Sequence, residues 1–273
     1  MPAVDMARLQ KQISELTWKF TRPAEFHAAV VDLFELYANR VYRPGKATPA
    51  ARLMTVYHAP PLVLRQLEQS LAPYCRENPM AALAVIDSLW DDENLEPRFL
   101  AGSLLGQLPI QSVEEVLARL QHWCTPEEEI TAANHLLNRG ASRLRREAPD
   151  QWITVIRTWA GNTSQAVQAV ALRALLPFAL DRDYENLPAL FQTLRPILLA
   201  STPAIQGDLE DLLRALARRS PAETAFVLRQ SLSMRISPSA ARIIRRILPE
   251  FPAEMQIALR AALPRSVLSS GEG

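Results

Sequence analysis

The chain has 273 residues, 48% of them hydrophobic and 22% charged, a balance that describes a folded protein and excludes a disordered one. Mean hydropathy is near zero, and no apolar run approaches the roughly 20 residues needed to cross a bilayer, which argues against a membrane protein. The formal net charge is +1, and the two cysteines, Cys75 and Cys124, are too few for a disulfide framework, so a reducing, cytoplasmic setting is expected. The opening stretch "MPAVDMARLQKQ" has neither the charged start nor the apolar core of a secretory signal.

From the N-terminus, residues 5–43 read as two helices, "MARLQKQISELTWKF" and "PAEFHAAVVDLFELYANRVY". "RPGKATP" at 43–49 is the best linker candidate, so residues 1–48 are expected to be a helical cap plus linker. Beyond it two kinds of phrase alternate. The first kind is a proline followed by a short apolar helix: "NPMAALAVIDSLW" from Asn78, "APDQWITVIRTWA" from Ala148, "LPALFQTLRPILL" from Leu187, "RSPAETAFVLRQSL" from Arg219 and "FPAEMQIALRAAL" from Phe251. Proline suits a first helical turn because the N–H it lacks would have no intrahelical partner there.

The second kind supplies a partner helix: "APPLVLRQLEQSL", "NLEPRFLAGSLLGQL", "TPEEEITAANHLL", "TSQAVQAVALRALL", "TPAIQGDLEDLLRAL" and "SPSAARIIRRIL". Four of these open on Ser or Thr, whose hydroxyl can cap the free N–H groups of a first turn. Apolar residues fall three and four apart, as in Leu209, Leu212, Leu213 and Leu216, and β-branched alternation is almost absent. A two-helix unit recurring about every 35–40 residues predicts an all-α, HEAT-like α-solenoid of about six helix pairs. The array is expected over 49–265, with a frayed, disordered tail at 266–273 and no second domain.

Chemistry is sparse along the chain. "GSLLG" at 102–106 reads as part of a helix whose glycines let backbones pack closely, not as a phosphate-binding loop. His122, Cys124 and His135 match no standard metal-ligand spacing, no hydrolytic triad can be assembled, and no metal or small-molecule cofactor is implied. Charge is distributed unevenly: residues 212–265 hold ten arginines against Glu223, Glu250 and Glu254, while acids gather in "DDENLE" at 91–96 and "PEEE" at 126–129. That asymmetry points either to a polyanionic partner or to a solvated basic helix face.

Three stretches carry a family resemblance. "DSLWDDENLEPRFLAGSLL" (87–105), "ALARRSPAETAFVL" (215–228) and "SPSAARIIRRILPEF" (237–251) resemble, in that order, segments of the AlkD-type DNA alkylation repair family. The resemblance runs from roughly 60 to 250 and implies HEAT-like repeats whose basic concave face cradles duplex DNA and removes cationic alkylated purines. It also implies a cleft lined by a tryptophan, an acid four residues later, an arginine one repeat on, and a second tryptophan. Trp123 in "QHWCTPEEEI" stands at the first position, and Glu127 stands where the family has Asp. A carboxylate there would stabilise the positive charge that develops as the glycosidic bond breaks, and an indole face would attract the cation. Core packing for Trp123 and a helix-capping role for Glu127 are the competing readings. The arginine position falls at Gln168 and Ala169, with Arg173 the nearest arginine, and the second tryptophan position is Asp211.

DNA binding requires only phosphate contacts. The candidates are Arg139, Arg143 and Arg146, spaced as one helix stripe beside Arg145, then Arg218 and Arg219, then Arg242, Arg245 and Arg246. Two functions follow as expectations. One is a duplex-DNA-binding relative of the repair family, with excision of alkylated purines left open by the incomplete residue set. The other is a non-enzymatic scaffold whose arginines meet an acidic protein partner or simply solvate the surface.

Overall fold

The computed structural model of the protein describes residues 4–39, 54–234 and 236–264. The proposed linker at 43–49, the tail at 266–273, Arg235 and Arg265 lie outside them. The described residues form an all-α fold whose one extended pairing is an isolated bridge between Thr55 and Asn94. No helix among them is long and apolar enough to cross a membrane. The chain divides into two compact units, Met1–Ala148 and Pro149–Gly273.

The first unit contains α1 (Met6–Thr17), α2 (Pro23–Leu36), α3 (Pro61–Glu77), α4 (Pro79–Trp90), α5 (Leu95–Leu105), α6 (Val113–Trp123), α7 (Ile130–His135) and α8 (Ser142–Glu147). Helix α1 packs on α3, α3 on α5, and α2 on α4, so the two N-terminal helices stack in the same way as those that follow. Asp5 starts α1 by accepting the N–H groups of Ala7 and Arg8, and Asn78 starts α4 by accepting that of Ala81. The apolar stripes of these helices bury Phe26, Phe34, Leu67, Leu71, Ile86 and Leu100. Glu96, buried in the first turn of α5, accepts the backbone N–H groups of Tyr57 and Ala59 and anchors that segment.

Two departures from the expected helices occur here. The helix expected to begin at Thr125 begins at Ile130, because "TPEEE" forms a turn and Glu129, not the threonine, caps α7 by accepting the Ala132 N–H. Residues Leu136–Gly140 then form a π-helical turn that separates α7 from α8. Close backbone approach accompanies it. Helix α5 lies against this turn, and a Cβ on Gly106 would sit 2.1 Å from the carbonyl oxygen of Arg139. A Cβ on Gly102 would meet the His135 ring at 3.2 Å. The "GSLLG" glycines therefore serve contact between helices.

His135 is consequently half-buried, with Nε2 3.0 Å from Ser103 Oγ and its ring 4.6 Å from that of Phe99. Burial pushes its pKa down to about 4, against a bond to the Phe99 backbone that raises it and with a further lowering by Arg139. The unfolded chain then takes up a proton near pH 6.5 that the folded chain refuses until about pH 4. The sign is that stability is full above the unfolded value and falls as pH drops through that window, by up to about 3 kcal/mol. Urea unfolding at several pH values is expected to show this slope, flattened by that amount in His135→Phe; an equal slope in both proteins would contradict it.

The second unit contains α9 (Pro149–Ala160), α10 (Gln165–Leu180), α11 (Leu187–Ala200), α12 (Gln206–Arg219), α13 (Pro221–Ser233), α14 (Pro238–Ile247) and α15 (Ala253–Ala262). They stack in two rows. Helices α9, α11, α13 and α15 touch in succession, and α10, α12 and α14 do the same, with α10 also against α9 and α12 against α13. Prolines open α9, α13 and α14, and Pro188 sits in the first turn of α11. Of the expected hydroxyl caps, Ser237 accepts the Ala240 N–H at α14, and Thr202 caps the short 3-10 turn before α12. Ser164, at the start of α10, makes no such bond. Leu209, Leu212, Leu213 and Leu216 are all buried, and Trp152 and Phe178 are the largest fully buried side chains of this unit.

Candidate nucleic-acid interface

In the first unit, the end of α4 brings Trp90 onto Trp123 at the end of α6, with ring centroids 4.7 Å apart and planes 13° from parallel. Both indoles are buried, Trp123 at 9% exposure. The Arg98 guanidinium lies 5.4 Å from the Trp90 ring centroid, and its Nη1 donates to Glu128 at 2.6 Å. Arg98 Nε donates to the Asp92 carbonyl at 2.8 Å, and the Asp92 carboxylate faces His27 Nε2 at 2.6 Å. Sequence reasoning missed Trp90, Arg98 and Glu128. The first two stand in the quoted "DSLWDDENLEPRF", but nothing local signals that Trp90 meets an indole on another helix.

Glu127 lies on the turn before α7, exposed, with no bonding partner among the described residues. It does not cap the helix. The neighbouring Glu128 is the carboxylate tied into the tryptophan cluster, and there it serves Arg98. An indole face and a carboxylate are what a cationic purine would need, and in this cluster an arginine side chain occupies both. His122 is exposed on α6 while Cys124 is buried and His135 half-buried, and no three His, Cys, Asp or Glu side chains among the described residues converge on a metal position.

The arginines of this unit are largely engaged. Arg139, on the π turn, pairs with Glu68. Arg143 donates to the Leu108 carbonyl at 3.0 Å and lies 3.3 Å from Glu147. Arg145 closes the turn by donating to the carbonyls of Leu137 and Asn138 at 2.8 and 2.7 Å. Arg146 is exposed and has no bonding partner among the described residues. The expected Arg139–Arg143–Arg146 stripe is interrupted, because the π turn inserts extra backbone between the first and the second.

In the second unit the arginines gather on one row. Helices α10, α12 and α14 carry Arg173, Arg214, Arg218, Arg219, Arg242, Arg245 and Arg246 against Asp208, Glu210 and Asp211. Arg218 is 63% exposed and grips Glu250 through Nε at 2.7 Å and Nη2 at 3.0 Å. Those bonds hold the Glu250 carboxyl below the usual carboxylate range and raise Arg218 in turn, so both stay charged at neutral pH. Arg246 is 56% exposed, 3.3 Å from Glu210, and Arg242 is exposed with one long bond to the Pro238 carbonyl. Arg245 is half-buried.

Arg219 behaves differently from its neighbour. Its guanidinium turns to the end of α10 and donates to the carbonyls of Phe178 and Tyr184. A cation at free helix carbonyls is a favourable pairing, and it makes Arg219 a fastener of the fold.

A cleft of about 700 Å³ opens between α10 and α12, lined by Arg182, Asp211, Arg214, Arg218 and Arg219 with Leu176 and Leu180. Asp211, the residue at the family's second tryptophan position, thus stands exposed in an arginine-lined cleft. Gln168 is buried and donates to the Asn162 carbonyl, while Arg173 lies 3.6 Å from Asp208 on α12. Burial raises the Asp208 pKa, opposed by Arg173.

Stacked helices, with arginine concentrated on one row of the second unit, define an all-α protein. The chain belongs to the DNA alkylation repair enzyme family, whose model matches residues 44–242. That span takes in α3 to α13 and part of α14, and leaves α1, α2 and α15 outside it. No curated protein matches the chain.

Proposed function

We propose that this protein is a cytoplasmic DNA-binding member of the DNA alkylation repair enzyme family, built from HEAT-like helix pairs, that holds duplex DNA through phosphate contacts. The observation that carries the reading is the α10–α12–α14 row, where Arg218, Arg242 and Arg246 stand exposed and Arg218 also lines a cleft with Arg182, Arg214 and Arg219. Guanidinium forks suit phosphate oxygens, and such contacts position a duplex without reading its sequence. In the first unit, Arg146 offers the same kind of contact.

Labelled duplex is expected to bind at low salt, with log affinity falling linearly against log salt at a slope of about 0.9 per phosphate contact. Anisotropy titrations measure this, and a flat titration at low salt would refute the reading.

Excision of alkylated purines is the enzymatic extension of the proposal. It rests on Trp123 and on the solvent-facing carboxylate of Glu127, one position from the cluster that holds Glu128. Release of methylated purine from alkylated duplex is expected to fall at least about tenfold in Glu127→Gln, the scale of losing one charge-stabilising group. No release by the parent protein would confine the function to binding.

The scaffold reading has its own support on the other row. A groove of about 630 Å³ between α11 and α13 is lined mainly by apolar side chains, among them Phe191, Phe226 and Met234, with Phe226 67% exposed. A groove of this kind suits the apolar face of a partner helix.

A further inference from the structure

The arginines that face outward from α12 and α14 are not bare. Glu250, on the 3-10 turn Leu248–Glu250 after α14, accepts both bonds of the Arg218 fork and lies 3.7 Å from Arg214 Nε. Glu210, on α12, accepts from Arg214 Nη2 at 2.6 Å and sits 3.3 Å from Arg246 Nη1. Three guanidinium groups and two carboxylates form one connected network with a net charge of +1. Without the carboxylates, the same three side chains would present +3. The carboxylates are the more covered partners, 20% and 19% exposed, while Arg218 and Arg246 remain 63% and 56% exposed. The guanidinium groups therefore keep open edges toward solvent.

A carboxylate offers a guanidinium fork two oxygens in one plane, and so do the two non-bridging oxygens of a phosphodiester. Ion pairs as exposed as these contribute little in water, so exchanging one anion for another is a small change. The cleft beside the network, with Arg182, Arg214 and Arg218 on its walls, leaves room for a backbone to enter.

We propose that Glu210 and Glu250 are internal stand-ins for DNA phosphates. They hold Arg214, Arg218 and Arg246 in place in the free protein and give them up to successive phosphodiesters of one strand when duplex binds. The two glutamates thereby set how tightly the row grips DNA. This inference rests on the DNA-binding reading and goes further, since it assigns a binding role to acids that charge counting would score as unfavourable.

The test is the isosteric pair of changes Glu250→Gln and Glu210→Gln, singly and together, with a short fluorescein-labelled duplex of mixed sequence. At about 0.1 M salt, one added phosphate contact corresponds to roughly eightfold in affinity. Glu250→Gln is expected to tighten binding about three- to eightfold and to steepen the salt dependence by up to about 0.9 in slope. The double variant is expected to exceed either single one. Adding Arg218→Ala to Glu250→Gln is expected to erase the gain, whereas adding Arg157→Ala, which removes the same charge from an exposed position on α9 in the other row, is expected to keep it. Thermal melts of each variant confirm that the fold is retained.

If the parent binds and the glutamine variants bind equally or more weakly, the glutamates are struts and the inference is overturned while DNA binding stands. If the parent does not bind but the double variant does, the glutamates block the row and do not yield it, and both the inference and the DNA reading of the parent fail. If neither binds, the DNA reading itself fails.

Discussion

Duplex DNA is expected to bind about a hundredfold more weakly when Arg218, Arg242 and Arg246 are replaced together by alanine. Three lost phosphate contacts at about 0.1 M salt would account for more than that, and the share of Arg218 and Arg246 already given to Glu250 and Glu210 reduces it. The loss should be the same for unrelated duplex sequences, because phosphates carry no base information. The slope of log affinity against log salt should flatten by roughly two to three. Exposed positions of this kind leave folding within about 0.5 kcal/mol of the parent. Anisotropy against two unrelated duplexes, with a thermal melt of the same sample, separates the outcomes. Retained affinity would remove the α12–α14 row from the interface. Arg219 is left out of this set because its guanidinium holds the end of α10, and losing it would mix folding with binding.

The second large effect concerns Trp123. Trp123→Ala is expected to destabilise the first unit by about 3–5 kcal/mol, the usual cost of removing a buried indole. It would also uncover Trp90 and, through it, the wall against which Arg98 meets Glu128. Trp123→Phe keeps an aromatic face on Trp90 and is expected to recover most of that loss. Urea unfolding followed by circular dichroism reads the difference. A Trp123→Ala protein as stable as the parent would contradict a packing role for this indole.

The helices were legible because their signals are local. A proline at Pro149, Pro221 or Pro238 and leucines three and four apart, as at Leu209 to Leu216, act within one turn of where they stand. The family, too, was readable from the order of three short stretches, and the match over residues 44–242 establishes it.

The availability of each arginine was not legible. Arg218 and Arg219 are adjacent in sequence, yet one faces solvent and the other grips the carbonyls of Phe178 and Tyr184 on a different element. Helical phase separates them by about 100°, and only the position of the neighbouring helix end decides which of the two is captured. The stripe through Arg139, Arg143 and Arg146 failed for a related reason. Counting by threes and fours presumes one unbroken helix, and the turn at Leu136–Gly140 interrupts the count. In the tryptophan cluster, the acid four residues after Trp123 was singled out by spacing, while the bonded carboxylate is its neighbour Glu128, because the helix starts five residues later than "TPEEEI" suggests.

The partition of the arginines has a consequence for chemical damage. Dicarbonyl by-products of sugar breakdown attack accessible guanidines, and 27 of the 30 basic side chains in this chain are guanidines. Arg242 and Arg246 are open to such adducts, whereas Arg219 is shielded by the carbonyls it serves. Carbonyl stress would thus modify the exposed guanidines of α14 while the contacts that Arg219 makes in the architecture stayed whole.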